Sequence, residues 1–78
     1  MMKEAILRFI QNVSQIQELD YGDFMRKANH YLIDLENQPD AGNLVADMKL
    51  HLQYRPNWNI ESTKDYILKE AEHAIGFN

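Results

Sequence analysis

The stretch YGDFMRKANHYLIDL, residues 21–35, decides the fold, because Tyr21, Met25, Ala28, Leu32 and Leu35 recur at intervals of 4, 3, 4 and 3. At 3.6 residues per turn that spacing lines the five side chains along one side of an α-helix, and the period predicts a helix around which the rest of the chain packs. Phe24 and Tyr31 widen the apolar stripe, while Arg26, Lys27, Asn29 and Asp34 fall away from it. Just upstream, Asp20 is suited to cap the helix, and Asp23 stands three residues later near the positive end of the helix dipole. Gly22 in the first turn costs up to about 1 kcal/mol relative to alanine, which a short connection tolerates.

On the N-terminal side, Ile6, Phe9, Ile10, Val13 and Ile16 mark a second amphipathic helix running from Lys3 to about Ile16. On the C-terminal side, Pro39 stops the central helix and suits the first turn of the next. Ala41, Leu44, Val45, Met48 and Leu52 give that third helix its inward stripe. Over residues 48–54 the alternation Met48, Leu50, Leu52, Tyr54 also fits a half-buried strand; helix is the better reading, since the 3.6-residue pattern begins at Ala41 and no second strand of matching character is present. Pro56 ends the third helix in a loop, Arg55–Asn59, after which Asn59 or Ser62 can cap a fourth. Ile60, Ile67, Leu68, Ala71, Ala74 and Ile75 form the last stripe, with Gly76 suited to a left-handed C-terminal cap and Phe77 to the apolar contact that follows it. Four amphipathic segments joined by short connections predict an all-α antiparallel up-and-down four-helix bundle, a single domain over residues 1–78, with room for an irregular or splayed first helix.

Composition sets the functional limits. The 78 residues leave room for one core, whose stability should be only roughly 3–5 kcal/mol unless a partner or second copy covers more apolar area. With no cysteine there is neither a disulfide framework nor a thiolate metal site. The N-terminal apolar run is broken by Glu4 and Arg8, too short and too charged for a secretory signal or a membrane span, so a cytoplasmic protein that does not span the membrane is expected. The net charge of −4 and the lack of any basic run longer than Arg26-Lys27 argue against nucleic-acid binding. A helix-turn-helix reading fails for the same reason: the recognition helix would carry Asp40 and Asp47 against only Lys49.

Three carboxylate–histidine pairs stand at helical spacing: His30 with Asp34, Asp47 with His51, and Glu70 with His73. Glu70-x-x-His73 is half of a dinuclear carboxylate motif, but the second half is missing, and the pairs lie on polar faces, so solvated charge pairs and no metal or other cofactor are expected. Ser14 and Ser62 have no nucleophile context, Ser62 being better explained as a cap, and the three glycines are isolated, so a non-enzymatic protein is expected. The loop holding Arg55 and Trp58 has two readings: Trp58 folds back with Tyr54 and Tyr66 to cover the bundle end, or it contacts a partner.

The order of elements, with a leucine-bearing second helix ending in Leu32-Ile33-Asp34-Leu35-Glu36-Asn37, a short turn, Leu44-Val45-Ala46-Asp47-Met48 and a final helix after a polar loop, resembles the small bacteriocin immunity proteins of the enterocin A type. That resemblance implies a cytosolic four-helix bundle that protects the producing cell by association. Its partner would be the complex of a pore-forming bacteriocin with its membrane sugar transporter, met at the cytoplasmic face. It places specificity in the C-terminal half, here Arg55, Trp58, Lys64 and Lys69. The remaining reading is a small helical adaptor or regulator, including one that forms a homo-oligomer.

Overall fold

A computed structural model describes residues 2–54 and 59–76. Four α-helices follow one another: α1 (Met2–Ser14), α2 (Tyr21–Glu36), α3 (Gly42–Gln53) and α4 (Ile60–Ala74). Each packs on its neighbour in the chain, and α4 closes the ring against α1. Helix α1 is therefore an integral wall of the bundle, with Ala5, Ile6, Phe9 and Val13 all buried, and it is not splayed. The Cα radius of gyration, 11.5 Å, is that of a tightly closed chain of this length.

The core is one contiguous cluster in which Phe9, Phe24, Leu32, Leu35, Met48, Leu52 and Ile67 are the bulky members. Along α2 the stripe is centred on Phe24, Ala28, Leu32 and Leu35, all at 0% exposure, whereas Tyr21 and Met25 are only partly buried. Periodicity placed Phe24 on the flank of the stripe; packing of α2 between α1 and α3 centres the buried line on it.

Local chemistry sets the helix ends. The Asp20 carboxylate accepts from the Asp23 amide at 3.1 Å, so α2 carries the cap its sequence announces. A Cβ at Gly22 would stand 3.0 Å from Asp20 Oδ2, so a side chain there would press on the capping carboxylate. Asn59, not Ser62, caps α4: its side chain accepts from the Ser62 amide at 2.9 Å, which leaves Ser62 inside the first turn. Helix α3 starts at Gly42, so Pro39 lies in the preceding turn and not in the first turn of the helix. Ala41, at the N-cap of α3, makes no side-chain cap bond and is fully buried, so packing has displaced capping there. Gly76 adopts φ +88, the left-handed terminus expected for it, while Phe77 lies outside the described residues. Ala74, placed on the inward stripe by its spacing, is exposed in the last turn of α4.

Two long-range polar contacts pin the ends of the helices together. The Tyr21 hydroxyl donates to the Leu52 carbonyl at 2.7 Å and sits 3.3 Å from the hydroxyl of Thr63, the buried polar side chain of α4. One phenol therefore joins the start of α2, the end of α3 and the first part of α4, and it satisfies a helix-terminal carbonyl that would otherwise be orphaned. The Lys64 ammonium donates to the Ile16 carbonyl at 2.9 Å, tying the beginning of α4 to the chain leaving α1 and fixing the two helices as antiparallel.

Candidate functional site: an aromatic and acidic groove between α3 and α4

Residues 48–54 are helical through Gln53, so the strand-like alternation there has another cause. Met48 and Leu52 point into the core, and Leu50 points the opposite way, 70% exposed. An apolar residue on the outer side of the helix is what imitates a strand. Leu50 belongs to a second stripe along α3, with Asp47, His51 and Tyr54 at helical spacing, and Tyr54 is 57% exposed.

This outer stripe faces a matching row on α4. The His51 and Tyr66 rings stack with centroids 3.6 Å apart and planes 10° from parallel. The Tyr66 hydroxyl donates to Asp47 Oδ2 at 3.2 Å, so a ring stack and a hydrogen bond together hold Tyr66 across the two helices. Beside the stack an open groove of about 700 Å³ is lined by His51, Ser62, Tyr66, Lys69, Glu70 and His73, with Asp65 on its rim. A smaller depression bounded by Asp47, Leu50, His51, Tyr54 and Tyr66 continues it over α3.

Glu70 sits at the inner side of this arrangement. Its Oε1 is shielded from solvent and has no hydrogen-bond partner among the described residues. Desolvation, and then the hydrogen bond and charge of Asp47, push the Glu70 carboxyl up to about 7. The hydrogen bond from Glu70 has the reverse effect on Asp47, holding it below the ordinary carboxylate value with help from the Tyr66 hydroxyl and the His51 charge. Two adjacent carboxylates repel when both ionise, so below about pH 7 the pair favours a single proton carried on Glu70. Tyr66 is in turn raised, chiefly by the negative charge of Glu70, so its phenol remains a donor.

The sequence-predicted site residues are dispersed by comparison. Lys64 is committed to the Ile16 carbonyl and is no free outer-face cation. Lys69 lies at the groove rim, paired with Asp65 at 3.1 Å. Arg55 and Trp58, and with them the choice between end-capping and partner contact, lie outside the described residues. Tyr54 and Tyr66, the suggested companions of Trp58 in a closed end, are both substantially exposed, Tyr66 at 40%. Of the carboxylate–histidine pairs, Asp34 is taken by Arg8 in a two-pronged contact at 2.9 and 3.2 Å, which holds its carboxyl below the usual carboxylate pKa range. Asp47 and His51 do converge, but on Tyr66 and Glu70, and Glu70 is half-buried where a solvated charge was expected. Among the described residues no group of three or more His, Asp or Glu side chains is arranged to hold a metal ion.

Comparison of the chain with protein-family models, with curated proteins and with solved structures gave no match. The geometry of the groove is therefore the ground for a functional reading. Among the described residues no helix is long and apolar enough to cross a membrane.

Proposed function

We propose that this chain is a non-enzymatic, cytoplasmic protein-interaction domain that docks its partner on the outer side of α3 and α4. The observation that carries the reading is the exposed row of Leu50, Tyr54 and Tyr66, large apolar and aromatic side chains standing side by side on one face of a domain whose core is otherwise closed. Aromatic side chains with satisfied polar ends are the usual anchors of protein interfaces, and Tyr66 is already held rigid by His51 and Asp47. Arg55 and Trp58 follow Tyr54 closely in the sequence.

The finer form of the proposal is a bacteriocin immunity protein of the enterocin A type. The order of helices and the residues quoted above support it, and the docking face falls in the C-terminal half, where the resemblance puts specificity. The partner is then a bacteriocin-bound membrane transporter met at the cytoplasmic side. Expression in a bacteriocin-sensitive cell tests it: protection is expected, and should be lost in Leu50→Glu while the helical circular dichroism is kept. Sensitivity unchanged across a panel of such peptides overturns the immunity reading.

The same apolar row supports a second reading, a helical adaptor or regulator that buries Leu50 and Tyr54 against another copy of itself. Light scattering separates the two: a stable dimer dissociated by Leu50→Glu, with no resistance phenotype, favours the adaptor.

A further inference from the structure

We propose that the α3–α4 groove receives an arginine side chain of a foreign partner segment, gripped by the Asp47 and Glu70 carboxyls beside the Tyr66–His51 stack. This rests on the reading of that face as the docking surface and names the chemistry of what docks.

Four observations converge on a guanidinium. Glu70 Oε1 lies out of solvent with no donor to satisfy it among the described residues. A partner's guanidinium brings five N–H groups in a planar fork and can serve two carboxyls at once, which an ammonium cannot do with the same geometry. Next, among the described residues no lysine or arginine pairs with either carboxyl, Lys69 being held by Asp65. Then, a flat aromatic pair borders the carboxyls, and guanidinium planes pack well on such rings. Finally, Leu50 and Tyr54 flank the site and offer apolar contact to the residues beside the arginine. Of the three arginines of this chain, Arg8 and Arg26 are engaged by Asp34 and Asp23, and Arg55 lies outside the described residues.

The carboxyl pair gives the proposal a thermodynamic signature. In the free protein Glu70 holds its proton up to about pH 7. A guanidinium placed against both carboxyls favours the ionised form, so binding below that pH expels a proton. If only the ionised form binds, affinity rises about tenfold between pH 6 and pH 8. The other titratable or charged groups at the groove are the His51 and His73 imidazoles, Tyr66, whose raised pKa keeps its proton over this range, and Asp65 with Lys69, which form a compensated pair.

The test titrates the full chain, labelled with nitrogen-15, with a leucine-containing helical peptide bearing arginine and with the same peptide bearing citrulline. Calorimetry of the arginine peptide in buffers of different ionisation enthalpy reads the proton. Expected are amide shifts confined to residues 47–54 and 62–73, proton release at pH 6, and tighter binding at pH 8. Glu70→Gln should weaken binding about tenfold at pH 8 and flatten its pH dependence; if that variant folds poorly, Asp47→Asn carries the same comparison. Equal binding of the citrulline peptide at this face overturns the guanidinium proposal and leaves the docking face standing. Shifts elsewhere, or none with either peptide, overturn the guanidinium proposal, and the docking face is then judged by the Leu50→Glu experiment alone.

Discussion

Replacing Glu70 by glutamine should make the protein more stable at pH 8 and leave it nearly unchanged at about pH 5. The Glu70 carboxyl stands at about 7 in the folded chain against an ordinary 4.5, so between those values the folded state binds more protons than the unfolded one. Stability from this group is fully present below about 4.5 and is lost as pH rises through about 7. At 1.36 kcal/mol per unit the ceiling is about 3 kcal/mol, and solvent access to a half-buried side chain reduces this to roughly 1–2 kcal/mol. Glutamine is isosteric, cannot ionise, and its amide can donate to Asp47 as the carboxyl did, so it retains the contact without the penalty. Asp47 acts in the opposite sense: held low, it contributes stability that is lost as pH falls through the acid range. The natural chain should therefore be most stable at about pH 5, and Glu70→Gln should extend that plateau to pH 8. Urea unfolding followed by far-ultraviolet circular dichroism measures the difference, and in a domain of this size roughly 1–2 kcal/mol moves Tm by about 5–15 °C. An equal difference between the two proteins at pH 5 and pH 8, or a variant less stable at pH 8, would refute the shared proton.

Other substitutions probe the frame that presents the groove. Tyr21→Phe removes the hydroxyl serving the Leu52 carbonyl and standing beside buried Thr63, and should cost about 1–3 kcal/mol, read as a lower urea midpoint at unchanged slope. Leu32→Ala empties the centre of the core and should cost about 2–5 kcal/mol; in a domain this small, a circular dichroism melt will show a large part of the chain unfolded at 37 °C. Gly42→Ala meets nothing within 4 Å and sits at the helical start of α3, so it should raise stability by up to about 1 kcal/mol in the same melt. Gly76→Ala faces open space too, yet its backbone at φ +88 makes alanine strained, so that change should cost about 1 kcal/mol and fray the last turn of α4 in amide exchange.

The four helices were readable because their periods are strong and their breakers well placed: Asp20 before α2, Pro39 and Asp40 before α3, Gly76 after α4. What periodicity cannot supply is the rotation of one helix against another. Phe24 and Met25 are equivalent candidates for burial until the helices packed on α2 choose between them, and Ala74 lies on the inward line of an ideal wheel but is exposed in the last turn of α4. The groove failed to show for the same reason. Asp47 and Glu70 are separated by 23 positions, and only the register of α3 on α4 makes them share a proton. One signal was present, however: Leu50 is an apolar residue off the helical stripe, the source of the strand ambiguity at residues 48–54. An irregularity in a period marks a side chain retained for something other than the core.

The bond from Lys64 to the Ile16 carbonyl spans 48 positions and closes a circle of helices, first against last. Closing that circle demands that the first and last helices find each other across the intervening chain, whereas the other main helix pairings are made between immediate successors. Joining the extremities with a short tether and reopening the chain near Leu19, an almost wholly solvated side chain, turns the most distant encounter into a nearby one. Such a rearranged molecule should reach its native state faster while presenting the same α3–α4 groove.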